Sequence, residues 1–303
     1  MSERPGPYEQ RPPLPVLRRT RVLAVTLAAL AATALAGCGG GAAAGDGQGG
    51  RTKESLPQPG QSATERAAPS DAPTPSSASQ PLAGKTVVID PGHNPGNFDH
   101  PREIAKQVDI GTNRKECDTT GTASNDGYRE ADFNLDVSRR LRDLLEKQGA
   151  TVKLTQDDDR PFGPCIDERA RIGNEAEADA VLSVHADGSA PGHRGYHVIL
   201  PAQVKEGSAD TTKIVGPSRE LGEQLAEEFG RATGTEPSNY VGGGTGLHVR
   251  DDLGGLNLST VPKVFIECGN MRDAKDLALL TSPEWRQKAA QGMANGITTF
   301  LAG

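Results

Sequence analysis

Two histidines and two glutamates stand where strands end or where a helix begins. His93, His185 and Glu267 each come at or near the end of a strand-like apolar run, and Glu130 opens a helical pattern. In open α/β sheets, ligands bind beyond the carboxyl ends of the strands. We therefore expect these side chains, which are far apart in the sequence, to meet at one site.

The chemistry that these residue types support is metal-assisted hydrolysis. Two imidazoles and one carboxylate, with a position left open for water, form a catalytic zinc shell, and a further carboxylate moves the proton of the water. His93, Glu130 and His185 are predicted to hold a single Zn²⁺, with Glu267 as the catalytic base. Each histidine alone is also explained as a structural residue, and Glu130 alone as an acid at a helix start. The combination favours the metal site.

Other polar residues near these strand ends are candidates for supporting roles. Asp90 begins the turn that carries His93, and it either orients the ligands as an outer acid or only forms the turn. His248 and Arg250 precede the strand of Glu267, where loops that contact the substrate are expected to gather. We predict that these two residues bind a peptide carboxylate.

Alternating patterns predict one α/β domain over residues 83–303. Strand-like runs and helical patterns alternate along it, with strands at 85–90, 151–155, 180–185, 195–200 and 263–268 and helices at 131–148, 167–176, 217–232 and 283–301. Such strands predict a mainly parallel central sheet with helices on both faces. The polar segment 94–129 is too long for an ordinary connection, and we interpret it as a lid-like insertion. Residues 242–246 are predicted to be a flexible loop.

The first 82 residues predict export rather than a folded domain. Residues 1–38 resemble a secretory signal that ends in Leu-Ala-Gly-Cys, so Cys38 is the expected lipidation site; a plain signal peptide and an uncleaved anchor are the alternatives. Residues 39–82 are rich in Gly, Ala, Ser and Pro and predict a disordered tether. The protein is thus expected in the cell envelope, lipid-anchored at the membrane or else periplasmic or extracellular.

The other three cysteines and the net charge indicate a disulfide and exclude one class of partner. Cys117 and Cys165 lie in polar, loop-like sequence, and an exported protein favours a disulfide between them over two free thiols. Cys268 lies in an apolar strand pattern and is expected to be a buried small side chain. The net charge is −7 and no stripe of Lys and Arg is present, so nucleic acid is not an expected partner.

Four sequence blocks together carry a family resemblance. In order, Val-Val-Ile-Asp-Pro-Gly-His, Gly-Tyr-Arg-Glu-Ala-Asp-Phe-Asn-Leu, Val-Leu-Ser-Val-His-Ala-Asp and Val-Phe-Ile-Glu-Cys-Gly-Asn resemble the zinc-dependent N-acetylmuramoyl-L-alanine amidases over residues 82–303. The resemblance implies an α/β fold, one Zn²⁺, and hydrolysis of the amide between the lactyl group of N-acetylmuramic acid and L-Ala in cell-wall turnover. It places the zinc ligands at His93, Glu130 and His185 and the catalytic glutamate at Glu267. Asn134 also matches the pattern, and we expect it to steady the helix start.

Two departures and three alternatives accompany this interpretation. Asn94-Pro95 and Cys268-Gly269-Asn270 differ from the family pattern, but neither change removes a predicted ligand. The alternatives are a zinc carboxypeptidase or deacetylase acting on the same polymer, or a non-catalytic lipoprotein that binds wall fragments. Carboxypeptidases place His and Glu three residues apart in one turn, an arrangement that neither His93 nor His185 has. A non-catalytic protein leaves Glu267 unexplained.

Overall fold

The computed structural model describes residues 80–303. The predicted signal segment 1–38, its Cys38, and the linker as far as residue 79 lie outside the described residues. Within the described part, every helix is too short or too polar to cross a bilayer.

The elements of the described part are numbered in chain order. The strands are β1 Thr86–Pro91, β2 Gln107–Asp109, β3 Arg114–Glu116, β4 Thr151–Leu154, β5 Ala180–Asp187, β6 His197–Pro201, β7 Lys205–Glu206, β8 Ala209–Asp210, β9 Leu247–Arg250 and β10 Lys263–Asn270. The α-helices are α1 Pro101–Ile104, α2 Glu130–Lys147, α3 Ile166–Glu175, α4 Val215–Thr233, α5 Gly254–Asn257, α6 Ala274–Leu280 and α7 Pro283–Ala302. Two 3-10 turns cover Pro95–Asp99 and Gly242–Gly244.

A six-stranded sheet in the order β4-β1-β5-β10-β6-β9 forms the centre of the fold. Neighbouring strands are parallel except for β10 and β6, which pair antiparallel. Helices pack on both faces, so the prediction of an α/β domain with a mainly parallel sheet is confirmed. In chain order β1 and β5 are separated by more than 80 residues, yet they are neighbours, which brings distant strand ends together.

The two faces of this sheet differ in polarity because side chains alternate along each strand. The back face packs against α2 and α4, which α7 covers, through the apolar residues Val87, Ile89, Leu182, Val184, Val264 and Ile266. The front face lies towards α3, α5 and the insertion, and it carries Asp90, Ser183, His185, Lys263 and Glu267. The back face therefore supplies the core, and the front face carries the residues that can do chemistry.

Several boundaries differ from the sequence prediction. Helix α4 begins at Val215 rather than at Pro217, because a proline in the first turn of a helix has no N–H bond to lose. Strand β9 and helix α6 were not predicted. Strand β9 pairs with β6 from Leu247 to Arg250, and this pairing, rather than a local pattern, makes the segment extended. The predicted loop 242–246 leads into β9 and contains a 3-10 turn.

The insertion 94–129 holds α1 and the β2–β3 hairpin, and it is fixed to the body of the domain. A disulfide joins Cys117 to Cys165, as predicted. Beside it, the amide of Ile166 donates to the Cys117 carbonyl at 2.7 Å. The part of the insertion around Cys117, called here the return of the insertion, is thus held against the start of α3.

Removal of this disulfide is expected to lower the melting temperature markedly. The two cysteines are 48 residues apart, and closing a loop of that length stabilises by about 4 kcal/mol in the chain-entropy model. For a domain of this size, that free energy corresponds to a Tm lower by about 8–16 °C. The measurement is thermal unfolding of the protein and of the Cys117→Ser/Cys165→Ser double variant, each with and without reductant. The double variant serves as control, since reductant should leave its Tm unchanged. An equal Tm for both proteins would contradict the prediction.

Candidate metal centre

The structure brings three of the four predicted residues into one cluster. A donor atom from each of His93, Glu130 and His185 lies within 4.8 Å of the others. His93 Nε2 is 3.3 Å from Glu130 Oε1, and His185 Nδ1 is 2.9 Å from the same oxygen. Ligand atoms around a tetrahedral zinc are roughly 3.4 Å apart. The spacing therefore suits a single small cation.

The turn after β1 places His93 over the sheet edge. His93 has a φ of 61°, a left-handed conformation that non-glycine residues rarely adopt. Before it, the Gly92 amide donates to the Val184 carbonyl at 3.0 Å. A Cβ at Gly92 would lie 2.2 Å from Cε1 of His185, so only glycine allows the turn to pass this close to the second histidine.

The insertion fixes the orientation of the His93 ring. His93 Nδ1 lies 3.1 Å from the Thr119 carbonyl oxygen and 3.4 Å from Asp118 Oδ1. Because a carbonyl only accepts, Nδ1 carries a hydrogen, and Nε2, on the side of Glu130, is the nitrogen that would bind a metal ion. A Cβ at Gly121 would lie 2.7 Å from Cδ2 of His93, so the insertion also packs directly against the cluster.

Glu130 is held at the first residue of α2 by two further groups. Its side chain is buried, and Oε2 accepts from the Thr122 amide at 2.8 Å. Asn134 Nδ2 lies 3.4 Å from Glu130 Oε1 and donates to the Gly92 carbonyl at 3.0 Å. Burial alone would raise the pKa of Glu130, but the two histidines outweigh it and hold the pKa well below the usual value. The carboxylate is thus ionised, as a ligand must be.

Glu267 lies beside the cluster without belonging to it. Its strand β10 pairs with β5 so that Glu267 stands directly opposite His185. Oε2 of Glu267 is buried and has no hydrogen-bond partner among the described residues. Burial, followed by the negative charges of Glu130 and Asp187, raises the pKa of Glu267 well above the usual value. A carboxyl group with a raised pKa can both take and return a proton.

These residues fit a zinc ion. Two imidazoles and one carboxylate are a known catalytic zinc donor set, and the donor atoms already face one another. Glu267, with its unpartnered oxygen, lines the same cavity as these three residues. His93, Glu130 and His185 are thus the residues that would hold the metal.

Two cavities meet at this cluster. A cavity of about 650 Å³ contains His93, Glu130, His185 and Glu267 and is also lined by Arg250 and Arg272. A second cavity of about 490 Å³ shares His93 and His185 and lies under the β2–β3 hairpin. Its exposed surface is mostly apolar, with Ile166 and Phe265 in the lining, although Lys115 and Glu116 also line it. The cluster therefore stands between a charged cavity and an apolar one.

Asp90 is buried at the base of the turn and not at the cluster itself. It accepts hydrogen bonds from Thr155 Oγ1 at 2.7 Å and Ser183 Oγ at 2.9 Å, and it pairs with Lys263 at 3.1 Å and Arg169 at 2.7 Å. Burial alone would raise the pKa of Asp90, but these two cations outweigh it and hold the pKa far below the usual value. The carboxylate therefore anchors the end of β1.

The predicted substrate contacts have different surroundings. Arg250 lines the charged cavity, with its guanidinium bonded twice to Asp252 at 2.8 and 2.7 Å. His248 lies beside His197, with ring centroids 5.9 Å apart. Arg272 also lines the cavity. No sequence pattern predicts a role for it, because an arginine in a turn after a strand carries no local signal of function.

Known proteins resemble this chain over the described domain. The profile of the N-acetylmuramoyl-L-alanine amidase family matches residues 87–299. An N-acetylmuramoyl-L-alanine amidase of Mycobacterium tuberculosis is 38% identical over 222 residues, which cover 73% of this chain and 88% of that protein. The crystal structure of the amidase Ami1 from Mycobacterium smegmatis superposes with a TM-score of 0.66 at 39% identity, covering 73% of this chain and 98% of the other. Ami1 from Mycobacterium abscessus gives 0.66 and 40%, with coverage of 73% and 100%.

Proposed function

The chain belongs to the N-acetylmuramoyl-L-alanine amidase family and is an enzyme of that class, and we propose that it uses one Zn²⁺ to cleave peptidoglycan or its muropeptides. The bond is the amide between the lactyl group of N-acetylmuramic acid and L-Ala. The observation that carries the zinc proposal is the cluster of His93, Glu130 and His185. Family membership favours this bond over the carboxypeptidase, deacetylase and non-catalytic alternatives.

The three ligands would place the metal next to Glu267. Zinc held there supplies a Lewis acid that polarises the amide carbonyl and lowers the pKa of water. The residues of this chain would hold the ion. Glu130 is a carboxylate that is already ionised, and His93 would bind through Nε2, because its Nδ1 faces the Thr119 carbonyl.

Glu267 is the group that moves the proton. Its unpartnered oxygen and raised pKa suit a carboxylate that takes a proton from the attacking water. It then returns that proton to the nitrogen of L-Ala as the C–N bond breaks. The oxygen of the water stays on the lactyl carbon, whose acid ionises to a carboxylate. The peptide leaves with a free amino terminus, which takes up that second proton of the water.

This role for Glu267 sets the direction of the substrate. Because Glu267 must reach the leaving nitrogen, the peptide side of the bond lies in the charged cavity with Arg250 and Arg272. The lactyl and sugar side then faces the apolar cavity under the hairpin. A guanidinium group is complementary to a carboxylate of a peptide. Because Arg250 already pairs with Asp252, Arg272 is the stronger candidate for this contact.

The variant Arg272→Gln tests this direction. We expect its KM to rise about tenfold with little change in kcat, because a charge-assisted hydrogen bond to the peptide contributes about 1.5 kcal/mol. Steady-state kinetics on a muramyl peptide with a free carboxylate measure this change in KM. When that carboxylate is converted to an amide, the variant and the unchanged protein should have the same KM. Arg171→Gln is the matched control, since Arg171 pairs with Glu175 on the exposed side of α3. A fall in kcat alone would place Arg272 at the reacting atoms instead.

The main experiment combines a metal analysis with the identification of products. The purified protein should contain about one zinc per chain, in keeping with a His₂Glu site. Mass spectrometry of digested muropeptide should show peptides that begin with L-Ala and sugars that keep the lactyl carboxylate. Shortened peptides would indicate a carboxypeptidase, loss of acetyl groups a deacetylase, and bound but uncut fragments a binding protein; each result would overturn the proposal.

The proposal extends to location and domain organisation. Peptidoglycan lies outside the cytoplasm, so we propose that residues 1–38 direct export, that Cys38 carries a lipid, and that residues 39–82 tether the catalytic domain 83–303. The support is the apolar run followed by Leu-Ala-Gly-Cys.

The variant Cys38→Ser tests the lipid anchor. It should move the enzyme from the membrane fraction to the soluble fraction, because the anchor would be lost. Immunoblots of fractionated cells measure this, with Cys268→Ser as the control because Cys268 is buried in the fold. A Cys38→Ser protein that stays in the membrane fraction would contradict the assignment.

A further inference from the structure

We propose that Arg169 is a positioning residue that holds the turn carrying His93 in its zinc-binding conformation. Arg169 lies on α3, is only 5% exposed, and bonds to the main chain of His93 rather than to its imidazole. The inference rests on the proposed zinc function, and it adds a residue that lies outside the four sequence blocks.

The guanidinium of Arg169 uses all five of its N–H donors. The hydrogen bonds run from Nε to the Pro164 carbonyl at 2.9 Å, from Nη1 to Asp90 Oδ1 and the Pro91 carbonyl at 2.7 Å each, and from Nη2 to the His93 carbonyl and Asp118 Oδ2 at 2.9 Å each. Three acceptors are main-chain carbonyls and two are carboxylates. One side chain thus fixes the end of β1, the return of the insertion and the loop before α3.

The backbone of His93 needs such a restraint. Its left-handed conformation costs about 1–2 kcal/mol for a residue with a Cβ. Arg169 Nη2 and Gln156 Nε2 both donate to the His93 carbonyl, at 2.9 and 3.1 Å. These bonds offset the cost only while the carbonyl points towards α3, which is the orientation that turns the imidazole to Glu130.

A second path leads from Arg169 to the ring. Asp118, which pairs with Arg169 through Oδ2, presents Oδ1 at 3.4 Å from His93 Nδ1. The same Oδ1 accepts from the Thr119 amide at 2.8 Å, and the Thr119 carbonyl faces Nδ1. Arg169 therefore controls both the main chain of His93 and the groups that orient its imidazole.

Lysine is not equivalent at this position. A lysine keeps the positive charge but offers a single ammonium with three donors in place of a planar fork. At least two of the five acceptors, all in a buried site, would therefore lose the hydrogen bond that residue 169 donates. The Arg169→Lys variant thus separates the geometry of the fork from the charge.

The test compares zinc affinities of the unchanged protein, Arg169→Lys and Arg286→Lys by competition with a chromophoric chelator. Arg286 is the matched control, since its guanidinium also clamps a carboxylate, Asp136, and two carbonyls, those of Leu280 and Thr281. Arg169→Lys should raise the zinc Kd at least about tenfold, which is the typical effect of losing a hydrogen bond that orients a metal ligand. Arg286→Lys should lower Tm and leave the zinc Kd unchanged.

Two further measurements keep the outcome decisive. In the cobalt-substituted protein, the d–d absorption bands should shift in Arg169→Lys and not in Arg286→Lys. If Arg169→Lys does not fold, Asp118→Asn replaces it and should also weaken zinc binding. An unchanged zinc Kd in the folded Arg169→Lys or in its Asp118→Asn replacement, or an equal loss in Arg286→Lys, would overturn the role of Arg169. Absence of zinc binding by the unchanged protein would instead overturn the proposed function.

Discussion

Replacing Glu267 with glutamine is expected to lower kcat by about 10²–10⁴-fold, the range typical of loss of a general acid–base group. Glutamine has nearly the same size, but it can neither take a proton from water nor return one to the leaving nitrogen. The position of Glu267 opposite His185 and its unpartnered Oε2 support this role. The zinc content should stay unchanged, because Glu267 is not among the three clustered donors.

Kinetics and metal analysis of the same preparation test the two parts of this prediction. Glu175→Gln provides a control for the chemical change, since Glu175 is an exposed partner of Arg171 on α3. Turnover that survives Glu267→Gln would remove the base assignment. If both zinc and turnover are lost, Glu267 is a zinc ligand.

Replacing His185 with alanine is expected to weaken zinc binding by more than about 100-fold. This is more than the affinity typically lost when a residue that only hydrogen-bonds to a metal ligand is removed. His185 Nδ1 is 2.9 Å from Glu130 Oε1, so its removal leaves two donors and an open side. Activity should fall with zinc content. In the unchanged protein, a chelator should abolish activity and added zinc should restore it.

Metal analysis after dialysis, chelator competition and thermal unfolding measure this effect. His100→Ala is the matched control: His100 lies in the insertion beside Phe162, with ring centroids 5.1 Å apart, and outside the cluster. Its zinc content should equal that of the unchanged protein. Full zinc occupancy in a folded His185→Ala protein would mean that the ion binds elsewhere.

The insertion has a more direct relation to the cluster than its sequence indicated. It was interpreted as a lid, and its hairpin does border the apolar cavity, with Lys115 paired to Asp252 at 3.1 Å. It also supplies the Thr119 carbonyl that orients His93 and the glycine at 121 that packs against the ring. A change in the insertion is therefore expected to alter zinc affinity as well as access.

Much of the site could be predicted because its signals are local. An apolar run that ends in Asp90-Pro91-Gly92-His93 predicts a strand and a turn from adjacent residues alone. Glu130 was located in the same way, from the helical periodicity that follows it. The parallel sheet then needed only the alternation of strands and helices.

Local patterns in the chain predict five of the six strands of the central sheet, the long helices and the four residues of the proposed centre, because adjacent residues encode each of them. The pairing of β9 with β6, the place of Arg272 in the charged cavity and the bond from Arg169 to the His93 carbonyl depend instead on how distant elements pack. Arg169 and His93 are 76 residues apart, and α3 holds a second arginine, Arg171, that is exposed. Which charged side chain becomes buried depends on what packs over the helix, and that is fixed only when the insertion, the disulfide and the end of β1 close together.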